Sequence, residues 1–147
     1  MINKLKVKGD LDIVVKDKDG KIKDTRKVNN LVVDAGLDFI TSRMTANTAT
    51  VMSHMAIGTG STAPAAGNTS LGSQSGSRET LDVITVTDNA IAYTAIFEAG
   101  DQTGNITEAG IFNASSSGTM LCRSTFGAVT KNSDDNMTIV WTITVSG

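Results

Sequence analysis

The sequence predicts a mainly β protein: an antiparallel β-sandwich, jelly-roll-like or Ig-like, with an N-terminal hairpin arm and one short α-helix. Three observations predict this class. Apolar residues alternate with polar ones in short segments, clusters of Gly, Asn, Asp and Ser separate those segments, and a single stretch changes to a helical period. Strands separated by turns in this way are typical of two packed sheets. The 147 residues suffice for one such core, and we divide them into a charged arm at 1–30 and a sandwich at 31–147.

The arm begins as a strand, a turn and a second strand. Leu11, Ile13 and Val15 alternate with other residues, and Asp19-Gly20 supplies a tight hairpin turn because glycine adopts positive φ at little cost. Residues 1–45 carry ten Lys/Arg against seven Asp, whereas 46–147 carry three Lys/Arg against eight Asp/Glu. Two interpretations stay open: a solvated hairpin, or a basic arm that lies on a neighbour's acidic surface.

The change of period falls at residues 34–45. Leu37, Ile40 and Met44 recur at the spacing of one helical face, with Phe39 near its margin. Asp34 stands where an N-cap residue would accept a backbone N–H. We therefore expect one short helix here.

A buried strand over 52–57 is followed by a long loop at 58–78. The loop holds the only proline and is rich in Gly, Ser, Thr and Ala, so it offers little to a core. Long loops in compact domains are usually functional. Because ordering a chain costs roughly 1–2 kcal/mol per residue, we expect this loop to be mobile in the free protein.

Strand patterns fill the remainder of the chain. Strands are predicted at 81–86, 91–97, 106–112, 120–126 and 137–146, with a bulge at Gly110. The last alternation is the clearest in the sequence. The expected aromatic core anchors are Phe39, Tyr93, Phe97, Phe112, Phe126 and Trp141.

The residues that could carry chemistry are few. One cysteine and one histidine exclude an internal disulfide and leave little for a metal site. Ile57-Gly-Thr-Gly60 lacks the third glycine and the following helix of a nucleotide loop. Residues 15–26 lack the first and last ligands of a calcium loop. No cofactor or metal is therefore expected.

The candidate nucleophiles and acids also favour structural roles. His54 lies among apolar residues with no oriented carboxylate, and Cys122 is interpreted as a small core residue. Asp134 and Asp135 are adjacent in a turn and do not form a glycosidase pair. Trp141 is interpreted as core rather than as a sugar-stacking platform. We expect no enzymatic activity.

Composition excludes several classes of partner. A formal net charge of −2 argues against a strongly basic nucleic-acid binder. No apolar run approaches the roughly 18 residues of a membrane span, and the first residues lack the apolar region of a secretory signal. We expect synthesis in a reducing compartment and no membrane partner.

Several segments, taken in order, resemble small structural proteins of tailed bacteriophages. They are 28–36, 51–73 followed by Arg78, 106–113 (Ile-Thr-Glu-Ala-Gly-Ile-Phe-Asn), 118–126 and 130–145. Such proteins decorate the head or belong to the tail tip and fibre attachment, and they have no catalytic residues. One departure is that Gly76-Ser77 replaces the usual acidic residue before the arginine, which puts an ion pair at that corner in doubt.

The resemblance implies a non-enzymatic virion protein made in the host bacterial cytoplasm. We expect a homotrimeric capsid decoration (cement) protein that binds the major capsid protein or other virion proteins. The alternative is a tail tip, collar or fibre-anchoring component, and a glycan-binding module is a weaker one. Deletion of 1–27 is expected to leave a folded sandwich that no longer joins the particle. The candidate partner contacts are Lys4, Lys6, Lys8, Thr59, Thr62, Pro64, Asn68, Leu71 and Arg78.

Overall fold

The computed structural model of the chain describes residues 4–45 and 49–147. Within these ranges the chain forms ten strands and one helix. In chain order they are β1 (Lys6–Lys16), β2 (Ile22–Asn29), β3 (Leu31–Val32), α1 (Asp34–Ser42), β4 (His54–Gly58), β5 (Glu79–Thr80), β6 (Val83–Thr87), β7 (Ala90–Phe97), β8 (Gly104–Phe112), β9 (Met120–Lys131) and β10 (Asn136–Ser146).

The strands form two five-stranded antiparallel sheets. One sheet has the order β2-β1-β10-β7-β6 and the other has the order β3-β9-β8-β4-β5. The predicted β-sandwich is confirmed, and apolar side chains from the two inner faces form the core between the sheets. In the part of the chain that the structure describes, the helix α1 is not long and apolar enough to cross a membrane.

The segment expected to be an arm is part of the sandwich. The hairpin is present, and its turn closes at Gly20, which has φ of 80° and donates its N–H to the Asp17 carbonyl at 3.0 Å. However, β1 pairs with β10 along its whole length, from Lys6 opposite Ser146 to Lys16 opposite Asn136. Residue 30 is therefore not a structural boundary in the described part of the chain, and residues 1–3 lie outside that part.

Deletion of this segment would open the core. Leu11 and Ile13 are each 1% exposed and Val15 is fully buried. Removing 1–27 would strip an interior strand from the first sheet and expose the centre of β10. The truncated chain is thus expected to unfold, contrary to the expectation from the sequence.

The aromatic residues divide into buried and marginal positions. Phe97, Phe112 and Trp141 are fully buried and Tyr93 is 8% exposed. Phe39 and Phe126 are half-buried and pack against the edge of the same core. The Trp141 ring is therefore not a surface platform for sugar stacking.

The helix differs in detail from the prediction. Val33 occupies the N-cap position without a side-chain hydrogen bond, and Asp34 is the first helical residue. Leu37 is 42% exposed, whereas Phe39 and Ile40 face the core. The reason is the contact at Gly36, where a Cβ would overlap the Leu121 carbonyl oxygen on β9. This close approach fixes the rotation of α1 and places the predicted face partly in solvent.

Two strands depart from their predicted form. The irregularities in β8 fall between Ile106 and Glu108 and between Ile111 and Phe112, while Gly110 itself pairs with Ala56 and Arg123. The predicted bulge at Gly110 is therefore wrong by a short distance. The second departure is β6, which spans Val83–Thr87 rather than 81–86; all five of its residues are exposed.

Candidate interaction surfaces

The long loop at 59–78 is held by one buried carboxylate. Glu108 is fully buried on β8. Its Oε2 accepts the backbone N–H groups of Gly60 and Ser73, each at 2.7 Å, and its Oε1 accepts that of Gly72 at 2.8 Å. The carboxylate thus connects both ends of the loop to the sheet. This arrangement argues against the mobility expected from composition.

Arg123 on β9 completes this loop clamp. Its Nε and Nη2 donate to Glu108 Oε1 at 3.2 and 3.0 Å. The guanidinium also donates to Asn68 Oδ1 at 3.1 Å and to the Thr62 carbonyl at 2.9 Å. Every charge in the clamp is paired or hydrogen-bonded, which a buried ion pair requires.

The protonation of Glu108 follows from these contacts. Burial alone would raise the pKa of Glu108, but the N–H donors of Gly72, Ser73 and Gly60 and the Arg123 guanidinium outweigh it, and the pKa is lowered. The carboxylate is therefore ionised at neutral pH. All five donors already face it, so the clamp is a structural device within this chain.

The clamp also explains the Gly-Thr-Gly motif. A Cβ at Gly60 would overlap the Glu108 carboxylate, and one at Gly58 would overlap the Ser73 carbonyl. Glycine is required here because backbone and carboxylate approach closely. Close packing of the loop, rather than a nucleotide phosphate, accounts for the motif.

Arg78 is bound internally as well. Its Nη1 donates to the carbonyls of Ala114 and Ser117 at 2.9 and 2.8 Å, and its Nε donates to Gln74 Oε1 at 3.3 Å. The guanidinium carbon lies 3.5 Å from the centroid of the Phe112 ring. The corner is held by carbonyls and a cation–π contact rather than by an ion pair.

The other candidate partner contacts in the loop are partly engaged within the chain and partly exposed. Leu71 is 8% exposed and belongs to a small core cluster with Phe112, so it is not a partner contact. Pro64 is half-buried, and Asn68 serves the clamp. Thr59 and Thr62 are exposed. The exposed side chains of the loop are therefore mostly small ones.

The chemically reactive residues lie apart from one another. His54 Nδ1 lies 2.7 Å from Ser53 Oγ in a half-buried position. Cys122 is fully buried, and burial raises the pKa of its thiol. Among the described residues, no three His, Cys, Asp or Glu side chains are placed to hold a metal ion.

Two further buried charges were not anticipated from the sequence. Asp135 accepts from Lys23 Nζ at 2.6 Å and from the Asn132 N–H at 2.8 Å. Lys131 donates to the carbonyls of Glu98 and Asp101 at 2.7 and 2.6 Å. Both residues anchor turns, and because Lys23, Glu98 and Asp101 lie 30 or more residues from the groups they bind, the local sequence does not reveal these contacts.

The β6 edge, defined as Asp82–Asp88, is an exposed apolar surface. Val83, Ile84 and Val86 are 53%, 49% and 68% exposed. The strand pairs with β7 on one side only, and none of its five residues is charged. Natural edge strands normally carry charges or prolines that block further pairing, so this edge is suited to receive another strand.

The inner face of the β6 edge borders an open cleft of about 340 Å³. Val86 lines the cleft together with core residues such as Tyr93 and Ile143, and α1 contributes Phe39 and Ile40. Ile84 lies opposite Tyr93 and therefore faces the same side as Val86. At this corner the first sheet extends beyond the cover of the second.

The other edges are short or charged. β3 and β5 have two residues each. β2 carries Lys23, Asp24, Arg26 and Lys27, and Arg26 pairs with Asp24 at 3.1 Å. Among the described strands, β6 is thus the longest edge without charge.

Two N-terminal lysines, Lys6 and Lys8, lie where β1 extends past β2, and Lys4 precedes the strand. Lys4, Lys6 and Lys8 are exposed. We call Lys4–Lys8 the overhang because the β1–β2 ladder begins only at Asp10, opposite Asn29. A groove beside the overhang is lined by Leu5, Leu31 and Leu37, among others.

No family model, curated protein or solved structure matches the chain.

Proposed function

We propose that this chain is a non-enzymatic structural protein of a tailed-bacteriophage virion, and most specifically a head decoration (cement) protein. The observation that supports a binding role best is the β6 edge, which presents three exposed apolar residues and no charge within the strand. Neighbouring exposed apolar residues, as distinct from single scattered ones, are typical of sites that bind other proteins. The virion setting rests on the resemblance of the ordered segments described above.

The loop at 59–78 suits a contact with a shell. Its outer residues are small, and the clamp of Glu108 and Arg123 holds its backbone before binding. A surface that is already ordered loses less conformational entropy on binding. In this proposal the preorganised loop replaces the mobile loop expected from the sequence.

Decoration would act through several weak contacts. In a homotrimer, binding of one subunit to the major capsid protein raises the effective concentration for the other two. No single contact then has to be large. A tail tip, collar or fibre-anchoring role remains the second candidate, because it would require the same kind of exposed edge.

The test is the copy number in purified particles of the phage that encodes the chain. Quantitative peptide mass spectrometry would compare this protein with the major capsid protein in the same sample. Hundreds of copies per particle are expected for decoration. A handful to a few dozen would support the tail instead, and absence from the particle would overturn the virion proposal.

A matched pair of variants connects the copy number to the proposed surface. Val86→Lys adds a charge to the β6 edge, whereas Val51→Lys adds the same charge at another exposed valine, which is 58% exposed. Occupancy is expected to fall only for Val86→Lys. Equal occupancy of both variants would remove the β6 edge from the proposal.

A further inference from the structure

The overhang has a free edge on one side. On its other side, Lys6, Val7 and Lys8 pair with Ser146, Val145 and Thr144 of β10. Toward β2 the ladder stops at Asp10, and the last backbone bond is Asn30 N–H to the Gly9 carbonyl at 3.3 Å. On this side, among the described residues, no strand is hydrogen-bonded to the backbone before Gly9; Leu31 and Val32 of β3 line the groove there without pairing with β1.

The overhang and the β6 edge are complementary in charge. Residues 4–8 read Lys-Leu-Lys-Val-Lys and contain no acid, whereas 82–88 contain Asp82 and Asp88 and no cation. The net charges of the two segments are thus +3 and −2. Opposite net charge favours the encounter of the overhang with the β6 edge over the encounter of two overhangs or two β6 edges.

They are also complementary in apolar surface. Leu5 is 78% exposed at the start of the overhang, and Val7 packs against the core from the same side of β1. Ile84 and Val86 lie on the inner face of the first sheet and are largely exposed. In a continuous sheet the row of Leu5 and Val7 would lie beside Ile84 and Val86 and cover them.

The strand directions permit this pairing. β1, β10, β7 and β6 are each antiparallel to the next, so β1 and β6 run in opposite directions. A second copy that is related to the first by rotation about an axis parallel to the strands has its strands running in the same directions as the first copy. Its β6 would then run antiparallel to the overhang of the first copy.

We propose that a second copy of this chain binds here, with the β6 edge of one copy pairing antiparallel with the Lys4–Lys8 overhang of the next. This is strand addition through a heterologous interface, which closes into a ring when the rotation allows it. Pairing of β6 with itself about Thr85 would instead oppose Asp82 and Asp88 of one copy to Asp88 and Asp82 of the other. The inference rests on the proposed function in one respect, because it assigns a second copy of this chain to the same β6 edge; the mass of the free protein tests it without particles, so its failure is distinguishable from failure of the virion proposal.

The experiment measures the mass of the purified full-length chain by sedimentation velocity and light scattering over a range of concentrations and salt. The wild type is expected to exceed the 15.3 kDa of one chain and to dissociate on dilution and at high salt, because salt screens exposed charges. Two variants each remove one surface: Val86→Lys disrupts the β6 edge, and Lys6→Glu/Lys8→Glu disrupts the overhang. Each is expected to weaken association roughly tenfold or more.

Two controls and a mixture make the result specific. Val51→Lys and the double variant Lys18→Glu/Lys21→Glu make the same changes of charge at exposed positions outside both surfaces and are expected to associate like the wild type. An equimolar mixture of the two disrupted variants is expected to form a dimer, because it restores one intact overhang and one intact β6 edge. Fluorescence of the buried Trp141 verifies that every variant is folded.

Several outcomes would overturn the inference. A wild type that stays monomeric at all concentrations in low salt would do so. So would a mixture that remains monomeric, or controls that dissociate as readily as the disrupted variants. Loss of association in Val86→Lys alone, with the lysine variant unaffected, would instead indicate an isologous contact between β6 strands.

Discussion

Replacing Glu108 by glutamine would test the loop clamp directly. The amide keeps the size of the side chain but loses the charge, and in either orientation its NH2 group faces donors that it cannot accept: Gly60 and Ser73 at the Oε2 position, or Gly72 and Arg123 at the Oε1 position. The substitution would also leave the Arg123 guanidinium buried without its counter-charge, at 3% side-chain exposure. The loop and the ion pair would therefore be damaged together.

The magnitude follows from the burial of both partners. Removing one member of a buried ion pair costs about 3–5 kcal/mol, a large part of the roughly 5–15 kcal/mol that stabilises a typical domain. With a urea slope of about 2 kcal/mol per molar, the unfolding midpoint should fall by about 1.5–2.5 M. Trp141 fluorescence reports the transition, and Glu98→Gln, at an exposed carboxylate, is the matched control.

Hydrogen exchange distinguishes a loss of order in the loop from a loss of global stability. Hydrogen exchange of 59–78 should rise in Glu108→Gln, since either the Gly60 and Ser73 amides or the Gly72 amide loses its acceptor. The double variant Glu108→Met/Arg123→Met should regain much of the global stability, because an apolar pair can replace a buried ion pair at little cost. Its loop should remain unprotected.

The reasoning would be refuted by a loss below about 1 kcal/mol in Glu108→Gln, which is the range of an ordinary surface change. Unchanged exchange of the loop amides would refute the claim that the carboxylate orders the loop. A double variant as unstable as the single one would show that the unpaired arginine is not the source of the loss.

Three further predictions follow from buried groups. The pKa of Asp135, lowered by Lys23, and the pKa of Glu108 both lie below their ordinary values. The stability that these two carboxylates contribute should therefore be fully present above about pH 4.5 and should fall as the pH drops through their folded-state pKa values. Urea unfolding midpoints measured against pH would check this, and Glu108→Gln should make the midpoint depend less on pH. Trp141→Ala should cost about 3–5 kcal/mol, measured by thermal unfolding, whereas Trp141→Phe should cost less because the indole N–H is buried without a partner among the described residues. Gly36→Ala should destabilise in urea unfolding, although alanine favours helix by about 1 kcal/mol, because the methyl would overlap the Leu121 carbonyl; a gain in stability would contradict the packing of α1.

The sequence alone determined the class of fold and most of its strands. The alternation in the last strand predicted that one face is buried, and the residues of that face are buried: Met137, Ile139, Trp141 and Ile143. The Asp19-Gly20 turn and the alternation of β7 were likewise local signals. They could be predicted because the side-chain period of a strand and the φ of a turn depend on neighbouring residues.

Only the tertiary structure decided which strands are interior and which are edges. The charge of β1 indicated an arm, yet β10 pairs with it over eleven residues. The alternation at 81–86 predicted a strand, but it did not indicate that all five residues of β6 would be exposed at the edge of the first sheet. Strand order depends on pairings between distant residues, which periodicity within a segment does not encode.

The same limit applies to the clamp. Glu108 and Arg123 lie fifteen residues apart, and their partners in the loop lie more than thirty residues from Glu108. Nothing in the local sequence distinguishes these charges from solvated ones. Their roles arise because folding brings one carboxylate, one guanidinium and three backbone N–H groups into a space from which water is excluded.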